Sequence, residues 1–214
     1  MKPLASLIIA GCLATSIFAA DLEPELGKVG KLLVDETFEK PESLKTWTHT
    51  VGDAQLEKGA LRVAERSQDK HAGAFRLAVP VSDCAVQVDF RFDGANFVHL
   101  GFDPSPGELK KKGHLFSIVI TPAKWLILEH GDKNDAKPKN QLLAESSTPF
   151  EQGKWYTLLL EVKGDDVVAQ ITGKSSLKGS SPDFHCKKPG LVLRVGGDDD
   201  KSASIDHVKV WEFK

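Results

Sequence analysis

From residue 32 onward, hydrophobic and polar positions alternate with a period of two over short stretches. The clearest case is residues 85–92, where Val86, Val88, Phe90 and Phe92 take one side and Gln87, Asp89 and Arg91 the other. β-Branched and aromatic residues alternating with polar ones are the pattern of a half-buried strand. Residues 97–102 repeat it, with Val98, Leu100 and Phe102 opposite Phe97 and His99. Further strands are expected at 32–34, 37–38, 60–63, 74–77, 115–121, 125–129, 155–162, 167–172, 190–195 and 205–211. Lys58-Gly59 reads as a turn that needs positive φ at the glycine. Pro122-Ala123-Lys124 and the 163–166 segment read as the turns of two hairpins. No long stretch has a helical period, so the expected class is all-β: a two-sheet antiparallel sandwich or a barrel. Charged loops are expected at 104–112 and 131–141, each beside a central strand.

The first twenty residues are different. Lys2 precedes an almost wholly apolar run over 4–18, then Ala19-Ala20, then the polar Asp21-Leu22-Glu23-Pro24-Glu25. This order describes a secretory signal peptide over 1–20, cut after Ala19 or after Ala20. It is shorter than the roughly 20 apolar residues of a membrane span. Ile9-Ala10-Gly11-Cys12 offers a second reading, a lipoprotein anchored at Cys12. Either way the chain is exported, to the medium or the periplasm. Residues 21–31 form a polar lead-in and 32–214 a single domain. No later stretch is apolar enough to span a bilayer. The net charge of -2 and pI of about 6.4 leave no basic field for a nucleic acid. Outside the leader stand Cys84 and Cys186, which either bond in an oxidising compartment or remain buried thiols.

Several stretches taken in order resemble a known fold family: Asp35-Glu36-Thr37-Phe38, Trp47, residues 58–63, residues 85–92, residues 153–158 and residues 205–211. They are similar to concanavalin A-like jelly-roll domains, nearest the branch of family 16 glycoside hydrolases and 3-keto-disaccharide hydrolase domains. The resemblance spans about residues 32–213. It implies a jelly roll whose concave sheet carries a carbohydrate groove. Trp47, Trp155 and Trp211 read as packing residues of that sandwich.

The catalytic pattern departs from the family. A retaining glycosidase needs two carboxylates about 5–5.5 Å apart. Family 16 places its acids at every second residue of one strand, so that all face the groove. No Glu-x-Asp-x-Glu run occurs here. Asn96 matches the keto-sugar hydrolase pattern only loosely. Alternation assigns Asp89, Arg91, His99, Trp125 and Glu129 to the groove as ligand-binding residues, with Asp103 and His114 nearby. The resemblance further implies a structural calcium held by Glu36, the Gly59 carbonyl and Asp206, all oxygen donors. Three readings of function follow. The first is a non-catalytic binder of an oligo- or polysaccharide. The second is a hydrolase with an unfamiliar set such as Asp89, His99 and Glu129. The third is a structural envelope protein whose groove is filled by its own loop.

Overall fold

The computed structural model describes residues 22–197 and 201–214. The leader, both cleavage readings and Cys12 lie outside the described residues. Two antiparallel sheets pack face to face as a sandwich. The strands are β1 (Val29–Glu36), β2 (Trp47–Val51), β3 (Asp53–Glu57), β4 (Ala60–Ala64), β5 (Gly73–Val81), β6 (Cys84–Asp93), β7 (Phe97–Phe102) and β8 (Phe116–Ile120). They continue as β9 (Trp125–Glu129), β10 (Gln141–Ser146), β11 (Trp155–Lys163), β12 (Asp166–Ile171), β13 (Leu177–Ser180), β14 (Lys188–Gly196) and β15 (Ser202–Phe213). One sheet has eight strands in the order β13-β12-β11-β6-β15-β4-β3, with β1 also paired to β15. The other has seven, β10-β9-β8-β7-β14-β5-β2. A single helical turn, α1 (Ser43–Thr46), and two short 3-10 turns complete the described chain.

Every expected strand position carries a strand or borders one, and the expected alternation is visible in burial. Val86, Val88, Phe90 and Phe92 of β6 are buried against Leu100 and Phe102 of β7 and their neighbours in one core. The short strands β2, β3, β10 and β13 add to the expected set. Their apolar content is low, so pairing with a neighbour rather than their own pattern makes them strands. The β3–β4 hairpin turns on Lys58 and Gly59, both at positive φ (54° and 75°). That is the pair of left-handed residues a two-residue hairpin needs, and it bears out the expectation at Gly59.

Residues 22–28 of the polar lead-in dock on the outer face of the eight-stranded sheet. The Glu161 carboxylate, fully buried on the outer side of β11, accepts the backbone N–H groups of Glu25 (3.0 Å) and Leu26 (2.7 Å). Gln170 donates to the Glu23 carbonyl, and Lys178 pairs with Glu25. This strap covers the β11–β12–β13 half of the outer face of the eight-stranded sheet.

Cys84 and Cys186 are both buried and both free, the second of the two readings open to them. Beside both thiols sits the ammonium of Lys188, which is only 1% exposed. It donates to the carbonyls of Ser82, Phe184 and Cys186, each at 2.8 Å. This arrangement fixes the end of β14 with hydrogen bonds rather than with a covalent link. Burial pushes the Cys84 thiol up to about 12, far from the thiolate that disulfide exchange requires.

Candidate functional site

The residues assigned to one groove from alternation fall in four places. His99 lies on the outer face of the seven-stranded sheet, paired with Arg194 of β14 and Val119 of β8. Asp89 and Arg91 lie on β6, on the outer face of the opposite sheet. Trp125 is 0% exposed and belongs to the core. The alternation on β9 runs the other way from the expectation: Trp125 and Ile127 point inward, Leu126 and Leu128 outward. Glu129 ends that strand at the rim, where it accepts from Lys111 (3.1 Å) and Ser181 (2.9 Å) and anchors the 104–112 loop. With the core between Asp89 and His99, a hydrolase built on Asp89, His99 and Glu129 has no single pocket to work in.

What the structure does assemble is a network around His99 on the seven-stranded face. Asp103, just past β7, accepts from Arg76 of β5 (3.0 Å) and from His114 Nδ1 (2.5 Å). The Nε2 of His114 faces the Arg194 guanidinium at 2.5 Å. A guanidinium can only donate, so that nitrogen is the acceptor and the ring proton sits on Nδ1, toward Asp103. His130, just past β9, shares a hydrogen bond with Ser117 (2.9 Å), and its ring stands edge-on to His114 at 5.3 Å. Phe97 covers the ring of His99 at 4.4 Å. The His99 Nδ1 is buried and has no hydrogen-bond partner. A buried polar atom without a partner calls for an explanation, and a bound group is one.

Protonation follows from burial and from neighbours. Burial first, then Arg194, His130 and His114, push His99 down to about 3. Burial, then His114 and Arg194, push His130 down to about 4. Both are therefore neutral near pH 7. Burial alone would raise Asp103, but the bonds from His114 and Arg76 outweigh it and hold the carboxyl below its usual range. Arg194 is lowered by its own burial, Asp103 opposing. In this network two guanidiniums stand against one carboxylate.

Beside the network is a hollow of about 220 Å³. Its apolar floor is Ala78, Gly190 and Val192, and its wall is Arg76 with Asp103. Gly190 is required there: at φ 152° a Cβ would come 2.0 Å from the Leu77 carbonyl. The loops at 104–113 and 131–140 close the opposite side and are stitched together by Lys133 N–H to the Lys112 carbonyl (2.9 Å) and Lys112 N–H to Asp132 (2.9 Å). They wall the face without filling the hollow, which counts against a groove occupied by its own loop.

Of the expected calcium ligands, Glu36 ends β1 opposite Val208, two residues along β15 from Asp206. The Glu36 carboxylate is taken by the Phe38 N–H (2.8 Å) and the Ser43 hydroxyl (2.7 Å). Asp206 is on the outer face of the eight-stranded sheet at a bulge, near His207 and opposite Asp89. The Gly59 turn lies close to Glu39, which also acts on Asp206. Thus Asp206 and Gly59 share one corner with Glu39, and the end of β1 at Glu36 borders the same stretch of β15. Of the tryptophans read as packing residues, Trp47 is buried, Trp211 is half-buried, and Trp155 is 40% exposed on the eight-stranded face.

No family model matches the chain, and no curated protein matches it. Solved structures do. A carbohydrate-binding module, CBM66 from Bacillus subtilis, superposes with a TM-score of 0.57 at 14% identity, over 78% of this chain and 96% of that one. A non-specific endo-β-1,3(4)-glucanase from family GH16 gives 0.62 at 14% identity, over 90% and 95%. The exoplasmic/lumenal domain of VIP36, solved in a Ca2+/Man3GlcNAc-bound form, gives 0.57 at 12%, over 84% and 87%. The fold is a concanavalin A-like jelly roll. Binding modules, lectins and hydrolases all use this jelly roll, so the fold does not choose among them. Within it, only Asp103 contributes a carboxylate to the network on the seven-stranded face, counted among the described residues.

Proposed function

We propose that this jelly roll binds a carbohydrate, without cleaving it, on the outer face of the seven-stranded sheet. The observation that carries the reading is the half-buried Asp103–His114–Arg194 network, which holds the unpartnered His99 Nδ1 and reaches an apolar-floored hollow through Asp103 and Arg76. Planar polar groups beside an apolar floor suit the hydroxyls and C–H faces of a sugar. The excess of guanidinium over carboxylate favours a sugar carrying a carboxylate or sulfate. Hydrolysis by the two-carboxylate route lacks its second acid.

A glycan array that includes acidic polysaccharides tests this. Wild type binds at least one acidic glycan, and His114→Ala and Arg194→Met each abolish the signal while circular dichroism stays unchanged. A folded wild type that is silent on every glycan overturns the reading, and release of reducing ends from the bound glycan replaces it with a hydrolase. The reading includes export by the leader, to the medium or periplasm. It places any structural calcium at the Asp206–Gly59 corner, where a rise in Tm with calcium that a chelator reverses is the expected outcome.

A further inference from the structure

The opposite face carries a second built surface that the proposed function leaves unused. On the β11–β6–β15–β4–β3 half of the eight-stranded sheet, beyond the reach of the N-terminal strap, the register lines up one outward residue per strand. Gln55 pairs with Arg62, Arg62 with Ser204, Ser204 with Arg91, and Arg91 with Trp155. At a strand spacing of about 4.8 Å this row is roughly 19 Å long. It crosses a hollow of about 320 Å³.

The row is anchored at Trp155, Arg91 and Ser204 and leaves the Arg62 guanidinium unengaged among the described residues. Arg91 is held by Asp93 through two bonds (2.7 and 3.1 Å), and Ser204 donates to the same carboxylate. The Arg91 guanidinium lies 4.8 Å over the Trp155 ring. The indole is thus fixed on one face and 40% exposed overall, a platform ordered before any ligand arrives. The Arg62 side chain has no hydrogen-bond or ion-pair partner among the described residues and lines the hollow next to Ser204. Around it the charges cancel: Lys58 is beside Glu57, Arg91 is on Asp93, and Asp206 supplies the remaining carboxyl.

We propose that this row is a second binding site, for a neutral oligosaccharide chain that stacks on Trp155 and runs across the strands to Arg62 and Gln55. Charge balance separates it from the seven-stranded face, where guanidiniums are in excess. The two sites are independent, and their failures are distinguishable.

The test is a titration of the full chain with four neutral tetrasaccharides (cellotetraose, laminaritetraose, mannotetraose and xylotetraose), followed by tryptophan fluorescence and calorimetry. At least one saturates. Trp155→Ala weakens it by roughly tenfold or more, as expected of a central aromatic anchor. Arg62→Ala, which breaks no side-chain hydrogen bond or ion pair among the described residues, also weakens it. Arg194→Met and His114→Ala leave it unchanged. Silence from all four sugars overturns the proposal. So does binding that Arg194→Met abolishes and Trp155→Ala spares, because that sugar then sits on the seven-stranded face.

Discussion

The two outer faces of this sandwich are built by the same alternation yet differ in kind. On the seven-stranded face the loops after β7 and β9 rise over the sheet, so its polar residues are half-buried and must satisfy one another. The result is a closed network of Arg76, Asp103, His114 and Arg194, with His130 and His99 held neutral by desolvation. On the eight-stranded face one half is sealed by the strap on Glu161, while the other half is uncovered by it and keeps an exposed indole and, among the described residues, the unpaired Arg62 guanidinium. The difference teaches that a sheet face acquires electrostatic character from what covers it. The alternation only decides which residues are available.

The largest expected effect contrasts two tryptophans that look alike in sequence. Trp125→Ala empties the core and costs about 3–5 kcal/mol. Trp155→Ala removes an exposed ring and its contact with Arg91, costing under about 1 kcal/mol. Urea denaturation of both variants measures this directly. A costly Trp155→Ala, or a mild Trp125→Ala, would invert the assignment of ligand platform and core.

Those same residues show what was legible in the chain. β6 declared its faces because Gln87, Asp89 and Arg91 contrast with their neighbours. β9 did not: Trp125, Leu126, Ile127 and Leu128 are all apolar, and the outward pair is half-covered, so no contrast marks the parity. Trp155 opens a strand whose inward positions are apolar, and the Arg91 that covers one face of its ring comes from a neighbouring strand far away in sequence. The network was mostly hidden for the same reason, since its members come from β5, the ends of β7, β8 and β9, and β14. One signal was available. His99, His114 and His130 fall on or beside three consecutive strands of a meander, and only the first was assigned to a face.

Next in size is Asp103→Asn. It preserves shape but leaves Arg76 and Arg194 without their carboxylate and His114 without a charged acceptor. A hydrogen bond to a charged group contributes about 1.5–3 kcal/mol, so a loss of that order is expected, together with loss of acidic-glycan binding. Neutral tetrasaccharide binding at Trp155 should survive. A variant that loses both ligands would mean that the faces are not independent.

The finest test uses pH, because the two faces respond to acid with opposite sign. His99 and His130 are depressed to about 3 and about 4 in the fold, whereas in the unfolded chain they take up protons near their ordinary value of 6.5. Between about pH 6.5 and 4 the unfolded state therefore binds more protons, and stability falls as pH falls. Asp103, held low in the fold, keeps its contribution until pH drops below the ordinary carboxylate range. Asp89 and Asp206 are raised, burial being the first cause in each. There the folded state holds a proton that the unfolded state has lost, so stability rises as pH falls through their folded values. Each group contributes at most about 1.4 kcal/mol per pH unit, and solvent screening reduces that. His99→Phe should make stability less sensitive to acid between pH 6.5 and 4.5, and Asp89→Asn should make it more sensitive. Equilibrium unfolding at the two pH values measures both. If the two variants move the difference in the same direction, burial does not set the electrostatics of the two faces.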